Sequence, residues 1–131
     1  MMKNIIEIIN ELPNLAHLSP ATEEYIDSCE KVLQIPFSSE FREYTHHFGA
    51  ISAEGLELTG AVSVARLSVV DATLYARANN NLPCNYYVVE DLGIEELLIV
   101  QDTEGIIYQY SRMTGLHQIA QSLSEYIINR C

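Results

Sequence analysis

Residues 29–60 read CEKVLQIPFSSEFREYTHHFGAISAEGLELTG. The stretch opens on the last turns of a helix, which Pro36 stops while biasing Ile35 toward extended geometry. Ser38 or Ser39 then caps a second helix, with Glu40 in its first turn and Phe41, Tyr44 and Phe48 as its inner face. Gly49 suits the residue just past a helix end. Beyond it, Gly55-Leu56-Glu57-Leu58-Thr59-Gly60 alternates apolar and polar residues between glycines, the pattern of a short strand. A proline corner, a glycine-stopped helix and a strand in succession predict a packed corner of a domain. No catalytic pattern falls inside it.

Upstream, residues 3–12 place Ile5, Ile9 and Leu12 at helical spacing beside Lys3, Glu7 and Glu11, an amphipathic first helix ended by Pro13 and Asn14. Ser19-Pro20 reads as an N-cap with proline in the first turn of a second helix. That helix runs to about Leu33 and buries Tyr25, Ile26, Cys29 and Leu33. Downstream, residues 61–68 fit either strand or loop. Asp71 caps a short helix carrying Leu74, Tyr75 and Arg77, stopped by Asn79-Asn80-Asn81 and Pro83. Three strand signals follow, Tyr86–Val89, Leu97–Val100 and Ile106–Tyr110, separated by turns at 90–93 and 102–105. They predict an antiparallel meander whose middle strand is apolar on both sides and so covered on both faces. Met113-Thr114-Gly115 turns into a last helix whose buried stripe is Leu116, Ile119, Ala120, Leu123, Tyr126 and Ile127. Helices, then a meander, then a helix, with no βαβ repeat, predict an α+β domain with one central, mainly antiparallel sheet and helices packed around it.

The chain has 131 residues, 48% hydrophobic and 19% charged, which suits one domain spanning 1–131 with its own core. Seven basic against eighteen acidic residues give a net charge of −11. Such a surface disfavours nucleic acid and anionic membranes as ligands and favours a basic protein. Cys29, Cys84 and Cys131 are odd in number and widely spaced, so a reduced, cytoplasmic setting is expected. The N-terminal run is too short and too acidic for a signal peptide, and no 18-residue apolar window is present.

Motifs for chemistry are missing. His46 and His47 are adjacent and point to different faces of a helix, while His17 and His117 have no partner at ligand spacing; neither a metal nor another cofactor is expected. There is no GxSxG, no phosphate-binding glycine loop and no cysteine in a basic context. Asp102-Thr103-Glu104-Gly105 lacks the rest of a calcium loop and reads as a β-turn. The charge pattern says more. Between Arg77 and Arg112 there is no Lys or Arg, yet Glu90, Asp91, Glu95, Glu96, Asp102 and Glu104 all fall there. These acids are either a solvated set of turns or a docking surface for a basic partner. The 90–96 group and the 102–104 pair belong to opposite ends of a meander. Glu57 is either structural, bonded to backbone N–H groups or to Arg77, or a further partner contact.

Several of these residues, taken in order, resemble the SUKH superfamily. They are Cys29-Glu30 followed by Leu33, the Ile35-Pro36 corner, the Phe41–Tyr44 helix, Phe48-Gly49 and Gly55–Gly60. Val69-Val70-Asp71-Ala72-Thr73 with Arg77 is similar to the next block. Leu82-Pro83 leading into Tyr87-Val88-Val89, then Leu98-Ile99-Val100-Gln101-Asp102 and Gly105-Ile106-Ile107-Tyr108, resembles the strand series. The likeness spans residues 22–130. It implies an α+β domain without catalytic activity, in which Glu30, Pro36, Tyr44, Gly49, Gly55, Gly60, Thr73, Arg77 and Gly105 are scaffold positions. It also implies a bacterial immunity protein, of the branch paired with LXG-type polymorphic toxins, that binds and neutralises a toxin domain, often a nuclease or deaminase. The alternative is a non-catalytic regulatory or scaffold module that binds a cellular protein or small ligand.

Overall fold

The computed structural model describes residues 3–94 and 96–130; Glu95 and Cys131 lie outside the described residues. In chain order the elements are α1 (Ile5–Asn10), β1 (Ala16–His17), α2 (Glu23–Leu33), α3 (Ser39–Phe48), β2 (Ile51–Ala53), β3 (Leu56–Leu58), a 3₁₀ turn (Ala65–Leu67), α4 (Val69–Asn79), β4 (Tyr86–Asp91), β5 (Leu98–Asp102), β6 (Ile107–Ser111), β7 (Gly115–Ala120) and α5 (Leu123–Arg130). The class is α+β with antiparallel sheets and flanking helices. The main sheet has four strands in the order β4-β5-β6-β7, and β1-β2-β3 form a second, small sheet. No helix among the described residues is long and apolar enough to cross a membrane.

β4 and β5 of the four-stranded sheet are covered on both faces. On one side Tyr87, Val89, Ile99 and Ile107 join residues of α1, α2, α3 and α5 in the larger core. On the other, Val88, Leu98, Val100 and Tyr110 pack with Ala76 of α4 and with Leu82. Residues 98–101 are all buried, as the doubly apolar middle strand predicts.

Local details correct the sequence reading at three places and decide it at a fourth, residues 61–68. α2 begins at Glu23 and is capped by Thr22, whose side chain accepts the Tyr25 amide, rather than by Ser19; Tyr25 is 41% exposed and not part of the buried face. α4 begins at Val69 under Ser68, which accepts the Asp71 amide, so Asp71 lies inside the first turn. Residues 61–68 are irregular and end in the 3₁₀ turn. Residues 115–120 form a strand, not the start of the last helix: Gly115 takes φ +76 in the turn after Ser111, and β7 pairs along β6. The helical spacing from Leu116 to Leu123 is coincidental, and the real helix starts after Ser122, which accepts the Glu125 amide (3.0 Å).

The 29–60 corner is held by polar groups with fixed tasks. Glu30 accepts the Phe37 amide (2.7 Å) just beyond Pro36, and also takes Arg42 (2.8 Å). Ser38 is the N-cap of α3, and its own amide donates to the Tyr87 hydroxyl (2.9 Å). That hydroxyl donates to Gln101 (2.6 Å), whose amide group donates to the Gly105 carbonyl (2.9 Å). Tyr44 donates to the Thr59 carbonyl (2.7 Å). Gly60 approaches Gly49 so closely that a Cβ on it would lie 1.7 Å from the Gly49 carbonyl oxygen. Thr45 seals the contact, donating to the Gly49 carbonyl (2.6 Å) and accepting the Ala61 amide (2.8 Å). Thr73 accepts the Val88 amide (2.9 Å), and Arg77 donates to the Leu33 and Cys84 carbonyls (2.8 and 3.0 Å). Glu40 closes the molecule end to end by accepting the Leu123 amide at the start of α5 (2.7 Å).

Candidate functional site

A groove of about 650 Å³ lies between α4 and the β3–β4 side of the molecule. Its floor is apolar, made by Ala72, Ala76, Val88 and Leu98, and one wall is the exposed face of α4. The helical repeat sets Asp71, Tyr75 and Asn79 four residues apart along that wall. The opposite wall is Glu57 of β3 with Arg66 of the 3₁₀ turn, and Asp91 and Glu96 flank the β4–β5 connection. Four carboxylates and one guanidinium therefore line a single concavity.

Most of these charges are accessible. Arg66 pairs with both oxygens of Glu57 (2.8 and 2.9 Å) and is itself well exposed. Arg112 reaches Glu96 at 3.7 Å. Exposed pairs of this kind contribute about 0–1 kcal/mol, so a partner can displace them at little cost. Asp91 accepts the Gly93 amide (2.8 Å) and holds the turn while remaining at the surface. Tyr75 stands 67% exposed on the rim, and Leu74 and Ile94 are also exposed. An aromatic ring open to solvent beside carboxylates is the surface chemistry of a protein-binding anchor.

The structure sorts the acids that the sequence groups together. Glu57, Asp91 and Glu96 share the groove. Asp102 and Glu104 are at the far end of the meander, where Asp102 accepts the Glu104 and Ile106 amides (2.9 and 3.0 Å) and the Tyr108 hydroxyl (3.1 Å). Glu90 is not at the surface: it is 3% exposed. A register shift between Val88 and Glu90 turns its side chain toward α5. There it takes the Tyr126 hydroxyl, the Glu57 amide (2.9 Å) and Arg130 (3.3 Å). Burial pushes its carboxyl above the usual range, more than Tyr126, the Glu57 amide and Arg130 pull it down. Glu57 meets Arg66 and not Arg77. Asp71 and Tyr75 belong to the groove but escape the sequence reading, which uses Asp71 as a cap; their i, i+4 spacing on a helix face is the signal that finds them.

A larger and more open groove of about 1020 Å³ lies between α1 and α5. It is lined mainly by aliphatic groups such as Leu12, Ile127 and Ile128, and Lys3 offsets Glu11 there. It lacks the aromatic anchor and the excess of one charge, so the α4 groove is the better candidate. Among the described residues, no group of three or more His, Cys, Asp or Glu side chains is placed to hold a metal ion. His17, His46 and His117 bond instead to the Leu18, Ala21 and Thr114 carbonyls.

No protein of curated function matches the sequence significantly. The family model SUKH_5, described as SMI1-KNR4 cell-wall, matches residues 2–130. That span takes in both sheets, all five helices and the α4 groove. The chain belongs to the SUKH_5 family of SMI1-KNR4 domains.

Proposed function

We propose that this chain is an immunity protein that neutralises a secreted polymorphic toxin domain by covering it, without chemistry of its own. The carrying observation is the α4 groove, where four carboxylates and one guanidinium sit beside the exposed Tyr75 in a chain of net charge −11. A nuclease or deaminase that handles nucleic acid needs a basic substrate cleft. An acidic surface with an exposed aromatic ring on its rim is complementary in charge to the basic residues around such a cleft, and the attraction speeds encounter. In this reading Glu57, Asp71, Asp91 and Glu96 meet the toxin's Lys and Arg residues, and Tyr75 inserts among them. The setting is the bacterial cytoplasm, where a producing cell must protect itself.

Co-expression with the neighbouring toxin reading frame tests this. Rescue of growth, with complex formation that weakens as salt rises, supports it. Failure to rescue, with no complex in a pull-down with the purified toxin domain, overturns it. The second reading, a regulatory or scaffold module that binds a cellular protein or small ligand, draws on the aliphatic α1–α5 groove. A salt-indifferent complex that Ile128→Asp abolishes and Asp71→Lys leaves intact would favour that reading.

A further inference from the structure

The β7 edge of the main sheet is left unused by a partner in the α4 groove. β7 pairs with β6 on one side and ends the sheet on the other. The opposite edge is already occupied. Thr59 donates to the Val89 carbonyl through its amide (2.9 Å) and to the Val88 carbonyl through its hydroxyl (2.8 Å), and the Val88 amide donates to Thr73 (2.9 Å). β7 therefore offers a row of outward backbone N–H and C=O groups, with His117, Gln118 and Ile119 exposed and Ile119 at 40%. Gly115 to Gln118 run in unbroken register with β6, so this part of the edge is regular.

Exposed strand edges are ordinarily guarded by Lys, inward charges or Pro. Here residues 113–124, MTGLHQIAQSLS, contain no Asp, Glu, Lys, Arg or Pro. In a chain of net charge −11 this is an exposed edge on which two copies can meet with no carboxylate of the strand itself between them. The nearest charges on either side are held within their own copy: Arg112 reaches Glu96 at 3.7 Å, and Glu125, in the first turn of α5, accepts the Gln121 amide (2.6 Å).

We propose that β7 is a homodimer edge: two copies pair β7 with β7, antiparallel, about a two-fold axis near Gln118, and their four-stranded sheets become continuous. Because the β4 edge is occupied, the pairing closes at two copies and does not propagate. The contact is short, which puts it in the size class of weak, transient interfaces. Its salt response is opposite to that of the groove. Salt screens the repulsion between two acidic copies and tightens the dimer, whereas it weakens capture of a basic partner.

Sedimentation equilibrium of the full chain tests the proposal. The expected result is a monomer–dimer equilibrium that tightens severalfold at high salt. Gln118→Lys and Gln118→Glu each weaken it about tenfold or more, because like charges then face across the axis, while an equimolar mixture of the two restores it to within about threefold. Arg112→Glu, at the hairpin tip, adds negative charge beside the edge in both copies, so it weakens the dimer as well and covers the case in which a Gln118 variant misfolds. A chain that stays monomeric up to about 1 mM, or a dimer indifferent to both positions, overturns the proposal, as does failure of the mixture to restore association.

Discussion

Replacing Glu90 probes the balance between burial and pairing. Its carboxylate takes three donors, the Tyr126 hydroxyl, the Glu57 amide and Arg130, from elements far apart in the chain. In Glu90→Ala the Glu57 amide loses its acceptor, which costs about 1–3 kcal/mol, and losing the Tyr126 bond adds about 1 kcal/mol. Arg130 stays partly exposed and turns to water. A total of about 2–4 kcal/mol is a large share of the 5–15 kcal/mol typical of a domain. Urea unfolding at pH 7 measures it. Glu90→Gln keeps the volume and mimics the protonated acid, and its pH profile isolates the ionisation. Because the folded carboxyl titrates above its ordinary 4.5, the folded state holds its proton more tightly than the unfolded chain does. The stability this supplies is complete below pH 4.5 and is lost as pH rises through the folded value. The deficit of the Gln variant relative to the parent therefore shrinks as pH rises from about 4.5. A deficit that grows over the same range would mean that Arg130 and the hydrogen bonds outweigh burial, and would refute the reasoning.

Three further outcomes are expected. Tyr75→Ala reduces affinity for the proposed toxin partner by about 10–100-fold in calorimetric titration, while the unfolding midpoint of the free protein moves little because the ring is solvent-exposed. Arg66→Ala removes the cation that competes for Glu57, so folding stability changes by less than about 1 kcal/mol and affinity for a basic partner is retained or strengthened. Gly60→Ala forces a methyl group into the Gly49 carbonyl and lowers stability by about 3 kcal/mol or more, visible as a fall in melting temperature of about 10 °C or more.

What could be read from the residues depended on how local the cause was. The α3 cap, the proline corner and the 102–105 turn rest on neighbours within a few positions, and they stand where the sequence puts them, whereas β4 runs on to Asp91 through the turn expected at 90–93. β7 did not, because Leu116, Ile119, Ala120 and Leu123 satisfy a helical repeat as well as a strand. Pairing with β6 decides between the two, and that contact is not written in the segment itself. The acids show the same division. Their abundance is plain in the chain, but Glu90 is withdrawn by a one-residue register shift. Asp71 and Tyr75 join Glu57, Asp91 and Glu96 only because α4 packs beside β4. Buried polar contacts such as Tyr87 with Ser38 and Gln101 left no trace in periodicity.

The bond from the Leu123 amide to Glu40 has a consequence for biosynthesis. It joins residues 83 positions apart, and α5 completes a core whose first members, Ile5 and Ile9, lie in α1. The early helices can collapse while translation continues, but the cap acceptor on α3 waits for α5, which is made 83 residues later. This fold therefore cannot close until α5 has emerged. A chain that stops before α5 lacks the partner of Glu40 and also Leu123, Tyr126 and Ile127, so the core of the first helices stays open to water.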